Sequence, residues 1–287
     1  MRIWSDVEYV YRCLADEERT RAFKAAIHAV VHPGSVVLDL GTGSGIMALF
    51  AARAGASRIY AVEIGDYLFR SACRTFEASP YSSVITPLCL DARGVSLEAI
   101  EKPDVVICEM ITTGLIGEMQ GPVINALRRA GVIDAHTALI PSGLSTRVSL
   151  VEADFSFFGE ELRFPIFVDY FTRSFQHRHA VLSEERLAHQ VKFSAPFEEN
   201  VRISQDLILQ RPGLVNGILL TSTTSFGHGR ELGSCSSYCQ PVILPILGLD
   251  VKAGDVVSVL MEYQMGEGFD SLESSVSHAS RNSPLPG

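Results

Sequence analysis

The chain has 287 residues, of which 47% are hydrophobic and 20% charged, so it can bury a substantial core in one or two domains. Its net charge of −9 argues against a general nucleic-acid binder, which usually carries a basic surface. No apolar run is long enough to span a bilayer, and the N-terminus is too charged for a signal peptide. The six scattered cysteines indicate a reduced, cytoplasmic protein rather than a disulfide framework.

The first half of the chain alternates between helical and strand-like patterns. A helical apolar stripe ends at Pro33, which predicts an N-terminal helical cap over residues 1–32. Residues 33–142 then alternate strands and helices, which predicts a Rossmann-like, doubly wound parallel sheet. The predicted strands cover 36–39, 59–63, 85–90, 105–108 and a segment from 137, and the predicted helices cover 46–54, 67–78 and 119–130.

The pattern changes after Ser142. Short strand-like segments separated by turn residues predict a mostly antiparallel, β-barrel-like or sandwich domain over residues 143–265. Aromatic and charged residues are mixed near 163–185, where we predict a helical insertion. Residues 266–287 are rich in Ser, Asn, Pro and Gly, which predicts a flexible tail.

A glycine-rich turn follows the first predicted strand and contains Gly41 and Gly43. Glycines at this place let the backbone approach a ligand and turn into a helix. Ile46 stands where a dinucleotide fingerprint needs its last glycine. Asp39 would repel a pyrophosphate but can accept from the ammonium of S-adenosylmethionine, so these two features favour that cofactor. Glu63 ends the second strand, where an acid can accept both ribose hydroxyls, a feature that NAD enzymes share.

Asp91 and Ala92 follow the third predicted strand and belong to the candidate cofactor set. At this position the Asp91 carboxylate can accept from the adenine amine. The same residue can also be a solvated loop carboxylate or a helix cap, and the sequence leaves these alternatives open.

With these motifs the chain resembles the protein arginine methyltransferase family, densely in the first half and thinly up to Met265. The run of 36–46, together with 49–56 and 60–63, is similar to the family's first two cofactor motifs. Residues 16–20 are similar to the family's Asp-x-x-Arg-Thr helix. The resemblance implies a class I methyltransferase that uses S-adenosylmethionine, with Arg19 binding the methionine carboxylate.

Glu109 and Glu118 lie nine positions apart after the apolar run 105–108 and resemble the family's double-glutamate loop. The resemblance implies that both are catalytic and hold a substrate guanidinium, and that Glu109 and Met119 also contact the cofactor. Two carboxylates suit this task because each can hydrogen-bond to the planar guanidinium. The alternative is that Glu109 caps a turn and Glu118 begins a solvated helix.

The chain departs from the family pattern in the β domain. Ser236, Ser237 and Tyr238 stand where the family has a Thr-His-Trp loop. Tyr238 can stack on a guanidinium, so it is a candidate substrate-binding residue. We do not expect Ser237 to replace the imidazole as a base or as the partner of an acid. Cys13 stands where methionine is usual, and the dimerisation-arm segment looks short.

Together these features predict a methyltransferase that acts on a guanidino nitrogen of arginine in a protein, a peptide or a small guanidine. The family resemblance implies a possible homodimer, and the sequence suggests no metal, membrane or nucleic-acid partner. Two alternatives remain. One is a small-molecule N- or O-methyltransferase of another acceptor class, and the other is a catalytically inactive scaffold that binds S-adenosylmethionine.

Overall fold

The computed structural model describes residues 6–168 and 179–279 of the chain. It begins with two helices, α1 (Val7–Ala15) and α2 (Glu17–Val30). Asp16 separates them and caps α2, because its carboxylate accepts a hydrogen bond from the Arg19 backbone N–H at 3.1 Å. Phe23 and Ile27 are fully buried, so α2 packs onto the main core through its apolar face.

The sheet that follows is parallel, with strand order β3-β2-β1-β4-β5. This confirms the predicted Rossmann-like half of the fold. Its strands are β1 (Val36–Leu40), β2 (Arg58–Glu63), β3 (Ile85–Cys89), β4 (Val105–Cys108) and β5 (Ala138–Ile140). Its helices are α3 (Ile46–Arg53), α4 (Asp66–Glu77) and α5 (Gln120–Arg129).

The second half of the chain is antiparallel, as predicted. A seven-stranded sheet has the order β10-β6-β13-β15-β9, with β11 also paired to β6 and β14 to β13. A three-stranded sheet has the order β12-β16-β17. Because β11 lies beside β12 and β15 beside β17, the two sheets adjoin at both edges in a barrel-like arrangement.

The strands of this half follow in chain order, and β7 and β8 form a separate hairpin. They are β6 (Gly143–Ala153), β7 (Ser156–Phe157), β8 (Glu160–Glu161), β9 (Ile166–Phe167), β10 (His179–Val181), β11 (Arg186–Lys192), β12 (Asn200–Ile208), β13 (Gly213–Gly227), β14 (Arg230–Leu232), β15 (Val242–Val251), β16 (Val256–Gln264) and β17 (Glu273–His278).

Two of the sequence predictions need correction. The segment 266–279 is not a flexible tail, because β17 pairs along β16 and Val276 packs against the core. Its serine-rich composition does not prevent this pairing, since strand hydrogen bonds come from the backbone. The predicted helical insertion is wrong for residues 163–168 and 179–185, because β9 and β10 are strands paired to β15 and β6. Residues 169–178 of that insertion, 280–287 of the tail and 1–5 of the cap lie outside the described residues.

The β domain holds the loop that joins the two glutamates. The Thr113 hydroxyl donates to the Gln240 carbonyl at 2.7 Å, and the Gly114 N–H donates to the Ser222 hydroxyl at 2.9 Å. The Tyr263 hydroxyl donates to the Gly114 carbonyl at 2.7 Å. The conformation of this loop therefore depends on contacts with residues far away in the sequence.

Replacing Tyr263 with phenylalanine should destabilise the protein by about 1–3 kcal/mol, because the buried Gly114 carbonyl loses its hydroxyl donor. Urea unfolding followed by circular dichroism measures this change. The control is Tyr67→Phe. The Tyr67 side chain is exposed, so water can take the place of its hydroxyl, and the free energy of unfolding of this variant should stay close to that of the wild type. Equal stability of both variants would contradict a structural role for the Tyr263 hydrogen bond.

Candidate active site

A cavity opens at the carboxyl ends of β1, β2 and β4, and helices α1 and α2 form its other wall. This is the edge where open α/β sheets bind ligands. Eight of the residues predicted from the sequence line it: Arg19, Asp39, Gly41, Gly43, Glu63, Glu109, Glu118 and Met119. The fold therefore brings the glycine turn, the helical arginine and the glutamate pair to one place.

The glycine turn after β1 needs glycine for both conformation and space. Gly41 and Gly43 have φ values of 68° and 51°, in the left-handed region that other residues rarely adopt. A Cβ on Gly43 would lie 3.2 Å from a Val10 methyl carbon of α1, closer than ordinary contact. The backbone here forms a cradle that a side chain would fill, which suits the approach of a nucleotide.

Asp39 and Glu63 are both buried at the floor of the cavity. Glu63 accepts hydrogen bonds from the backbone N–H groups of Gly43 at 3.0 Å and Gly65 at 2.7 Å. A carboxylate has about four lone-pair sites, so Glu63 keeps acceptor capacity for ribose hydroxyls. Asp39 accepts from the Thr42 hydroxyl at 2.5 Å, and burial raises the pKa of its carboxyl to about 7.

Arg19 reaches the cavity from α2 with its side chain almost fully buried. Its guanidinium donates to the Cys13 carbonyl at 3.0 Å and forms an ion pair with Glu109. Burial alone would lower its pKa, but the Glu109 carboxylate raises the net pKa above its usual range. Within the described residues, its Nε atom has no hydrogen-bond partner. A buried donor without a partner fits a residue that holds an anionic ligand group.

Glu118 is 3% exposed and accepts a hydrogen bond from the Tyr9 hydroxyl at 2.9 Å. Burial, and then the charge of Glu109, raise the pKa of Glu118 to about 8. The predicted alternative of a solvated helix start is therefore wrong for Glu118. Glu118 therefore tends to keep its proton. A cation placed between Glu118 and Glu109 would favour the ionised form of Glu118 and lower its pKa.

A smaller cavity continues from the first and shares Gly41 and Met119 with it. Asp91 and Ala92 line this second cavity. Asp91 also caps the short 3-10 helix Ala92–Gly94 and forms an ion pair with Arg93 at 2.6 Å. The structure thus gives Asp91 the capping role that the sequence left open, while leaving its position at the cavity unchanged.

Tyr238 does not lie where the sequence analysis expected it. Its side chain is 1% exposed, does not line the cavity, and packs edge-on against Phe23 with ring centroids 6.0 Å apart. Its hydroxyl shares a hydrogen bond with Thr224 at 2.8 Å. The expectation that Tyr238 stacks on a guanidinium is therefore wrong, because the apolar core has buried its ring.

Ser237 does partner an acid, contrary to the expectation from the sequence. Its backbone N–H and its hydroxyl donate to the Asp16 carboxylate at 2.7 and 3.0 Å. Asp16 in turn caps the helix that carries Arg19. A serine can fill this role because its backbone N–H supplies a second donor beside the hydroxyl. The β domain thus holds the helices that cover the cavity.

Tyr9 is a residue of this cavity that contacts the glutamate pair and that the sequence did not single out. It lies on α1, and its hydroxyl contacts Glu118 across 109 positions of sequence. Three aromatic residues, Trp4, Tyr9 and Tyr11, stand close together near the N-terminus, and no pattern singles one out. The amphipathic spacing of α1 was the available signal, since Tyr9 and Cys13 lie four positions apart on one helix face and both line the cavity.

Comparisons with known proteins bear on the fold and on the cofactor. A sequence profile of ribosomal protein L11 methyltransferases (PrmA) matches residues 18–147. The Trypanosoma brucei PRMT1 enzyme-prozyme complex with AdoHcy has a similar fold, with a TM-score of 0.78 over 97% of this chain and 95% of that chain at 18% identity. The chain is a class I methyltransferase that uses S-adenosylmethionine. It is similar to the protein arginine methyltransferases in both halves of its fold.

Two relatives show how far this methyltransferase is matched by sequence. It is 29% identical over 266 residues to an uncharacterized protein of Methanocaldococcus jannaschii, which covers 93% of this chain and 95% of that protein. It is 32% identical over 146 residues to an arginine N(omega)-methyltransferase of Streptomyces achromogenes subsp. streptozoticus, covering 50% of this chain and 40% of that protein. The alignments with five relatives named as arginine methyltransferases cover between 14% and 40% of those proteins.

None of the helices in residues 6–168 and 179–279 combines the length and the apolar character that crossing a bilayer requires.

Replacing Glu118 with glutamine should stabilise the protein increasingly as the pH rises from about 4.5 to 8. The folded state keeps the Glu118 proton up to a pKa of about 8, whereas the unfolded chain loses it near the ordinary value, so ionisation weakens folding across this window. Glutamine removes this penalty. The measurement is the difference in melting temperature between variant and wild type, without cofactor, at several pH values.

The matched control for this measurement is Glu17→Gln, because the Glu17 side chain is 75% exposed and its charge stays in water. Its difference from the wild type should not grow with pH. A pH-independent difference for Glu118→Gln would show that Glu118 does not titrate abnormally in the folded protein.

Proposed function

We propose that this methyltransferase transfers the methyl group of S-adenosylmethionine to a guanidino nitrogen of arginine, in a protein, a peptide or a small molecule. The observation that carries the proposal is that Glu109 and Glu118 line the same cavity as the cofactor residues, with their carboxylates in electrostatic contact. Two acids at one place, Glu118 buried and Glu109 nearly so, favour a cation that both can contact. A guanidinium is planar and carries five donors, which suits this arrangement.

The chemical difficulty is that a guanidinium is a poor nucleophile. Its pKa is about 12.5–13.8, so removing its proton first at pH 7 would cost roughly 7–9 kcal/mol. Carboxylates at two edges of the guanidinium attract its positive charge toward the nitrogens that do not react. A unit charge at 4 Å contributes about 4 kcal/mol at an effective dielectric constant of 20, so two carboxylates have the required magnitude.

S-adenosylmethionine supplies an electrophilic methyl group on a sulfonium, whose sulfur keeps the bonding electrons when the group is transferred. Glu109 and Glu118 orient the acceptor so that one nitrogen lone pair points at that methyl group. The methylated nitrogen must then lose a proton. Glu118 is the better candidate to receive it, because burial and the Glu109 charge raise its pKa. Tyr9 keeps the Glu118 side chain in place by donating to it.

The residues present fit the cofactor at three points. Arg19 offers a buried Nε donor for the methionine carboxylate, and Glu63 has spare acceptor capacity for the ribose. Asp91 and Ala92 line the smaller cavity, where the adenine would lie. The names of several relatives, including the Streptomyces arginine N(omega)-methyltransferase, support an arginine acceptor.

A small-molecule N- or O-methyltransferase of another class is the main alternative. The PrmA profile ends at residue 147, close to where the β domain begins, so it describes the cofactor half and does not identify the acceptor. The buried glutamate pair favours a cationic acceptor over a hydroxyl. It also argues against an inactive scaffold, because a buried carboxyl whose pKa is raised beside a second acid lowers the free energy of unfolding near neutral pH.

Incubation with S-adenosylmethionine labelled in the methyl group should place label on free arginine, on arginine peptides or on proteins of a cell lysate. Glu109→Gln and Glu118→Gln should each lower kcat by at least about 100-fold, the scale for removing one preorganised electrostatic contact. Glu118→Gln should keep its affinity for S-adenosylhomocysteine in calorimetry, because Glu118 contacts the acceptor side.

Two controls sharpen this assay. Glu17→Gln, at an exposed glutamate, should keep full activity, and peptides with lysine in place of arginine should remain unlabelled. Label on lysine peptides but on no guanidine would overturn the acceptor, and full activity in both active-site variants would overturn the mechanism.

Binding of a guanidinium should release protons near pH 7. Glu118 has a pKa of about 8 without a cation beside it, and a bound cation favours its charged form, so up to one proton leaves per site. Calorimetry of ethylguanidinium binding in buffers of different ionisation enthalpy measures this number. Glu118→Gln should reduce it toward zero, and a wild-type value of zero would contradict the raised pKa.

A further inference from the structure

Arg19 lies between the part of the cavity proposed for the cofactor and the part proposed for the acceptor. One terminal nitrogen donates to the Cys13 carbonyl at 3.0 Å, while the other pairs with Glu109. The Nε atom has no hydrogen-bond partner among the described residues. The Arg19 guanidinium therefore has two roles. It is the candidate to hold the cofactor carboxylate, and in this structure it is also the partner of Glu109, an acid that the acceptor needs.

The contact between Arg19 and Glu109 has the chemistry of the contact proposed for the substrate. Each is a guanidinium held by the carboxylate of Glu109, in a site where that side chain is 12% exposed. An acceptor guanidinium that approaches this pair meets a carboxylate whose charge is already compensated. Glu109 keeps free lone pairs beside Arg19, but its compensated charge attracts a second cation less, so it binds an acceptor more strongly when the hold of Arg19 weakens.

The surrounding backbone limits how Arg19 can respond. Asp16 fixes the start of α2 through the Arg19 N–H at 3.1 Å, and Ser237 fixes Asp16 from the β domain. The Cys13 carbonyl holds one edge of the guanidinium. The remaining edge, with Nε and the second terminal nitrogen, is the part that can exchange one carboxylate for another.

We propose that the cofactor carboxylate and Glu109 compete for Arg19, so that cofactor binding frees Glu109 to receive the acceptor guanidinium. Arg19 thereby couples the two sites and favours an order in which the cofactor binds first. The coupling is reciprocal. Cofactor binding increases the affinity for the acceptor, and an acceptor bound to Glu109 increases the affinity for the cofactor by the same factor. The role of Glu109 toward the acceptor rests on the function proposed above.

The first test measures the cofactor side alone and needs no acceptor. S-adenosylhomocysteine keeps the carboxylate but lacks the sulfonium charge, so its affinity reports on the competition for Arg19. Glu109→Gln should bind it at least about fivefold more tightly than the wild type, within the usual range of coupling between sites. Unchanged or weaker binding would mean that Arg19 holds both carboxylates together, and the proposal would fail.

Two control variants separate competition from a general effect of charge. Glu17→Gln breaks an arginine–glutamate pair at 2.6 Å on the exposed side of the same helix and should leave the affinity unchanged. At about pH 9, above the Glu118 pKa of about 8, Glu118→Gln removes a charged acid of the same cavity that accepts from Tyr9 rather than from Arg19, so it should change the affinity much less than Glu109→Gln. Equal tightening by Glu109→Gln and Glu118→Gln would overturn competition for Arg19 as the cause.

The second test uses the wild-type protein and so does not depend on the folding of a variant. Calorimetry should show that ethylguanidinium binds at least about fivefold more tightly with saturating S-adenosylhomocysteine than without it. Equal affinity would overturn the coupling while leaving the proposed function intact. If ethylguanidinium does not bind under either condition, both the coupling and the proposed function are overturned. If Glu109→Gln binds S-adenosylhomocysteine more tightly but no guanidine is methylated by the wild type, only the proposed function is overturned.

Discussion

The site depends on holding two carboxyl groups, Glu109 and Glu118, close together in a place that is largely closed to solvent. Glu109 and Glu118 sit at the two ends of one loop, and that loop is fixed from the β domain through Thr113 and Gly114. At its base, the Met110 N–H donates to the Gln120 side chain at 3.0 Å. Repulsion between the carboxylates would open an unsupported loop, so these hydrogen bonds supply the restraint that keeps both acids on the cavity.

The burial of the acidic side chains in the site lowers the free energy of unfolding of the protein. The carboxyl groups of Asp39 and Glu118 both have raised pKa values, chiefly because they are buried. Arg19 offsets part of this cost by pairing with Glu109, and Tyr9 offsets part of it by donating to Glu118. A cationic acceptor would relieve the remaining repulsion, so the free energy stored in the buried acids favours binding of a cation.

The segment 236–238 departs most from the family pattern, yet it connects the β domain to the N-terminal helices through Ser237. Ser237 reaches Asp16 with two donors, one from the backbone and one from the side chain. This contact joins the β domain to the helix that positions Arg19, and through Arg19 to Glu109. Tyr238 meanwhile has become a core residue beside Phe23, so the segment 236–238 acts by holding the covering helices in place.

The sequence alone predicted the parallel sheet and the β domain from local periodicity, the cofactor from the residues around the glycine turn, and the pairing of Glu109 with Glu118 from the family resemblance of their spacing. It could not select Tyr9, bury Tyr238 or pair Ser237 with Asp16, since each of these joins residues distant in the chain. It also misread residues 266–279, because a serine-rich strand is stabilised by backbone pairing with β16. Only the tertiary structure decides such contacts, since the packing of two domains, and no local pattern, sets which side chains meet.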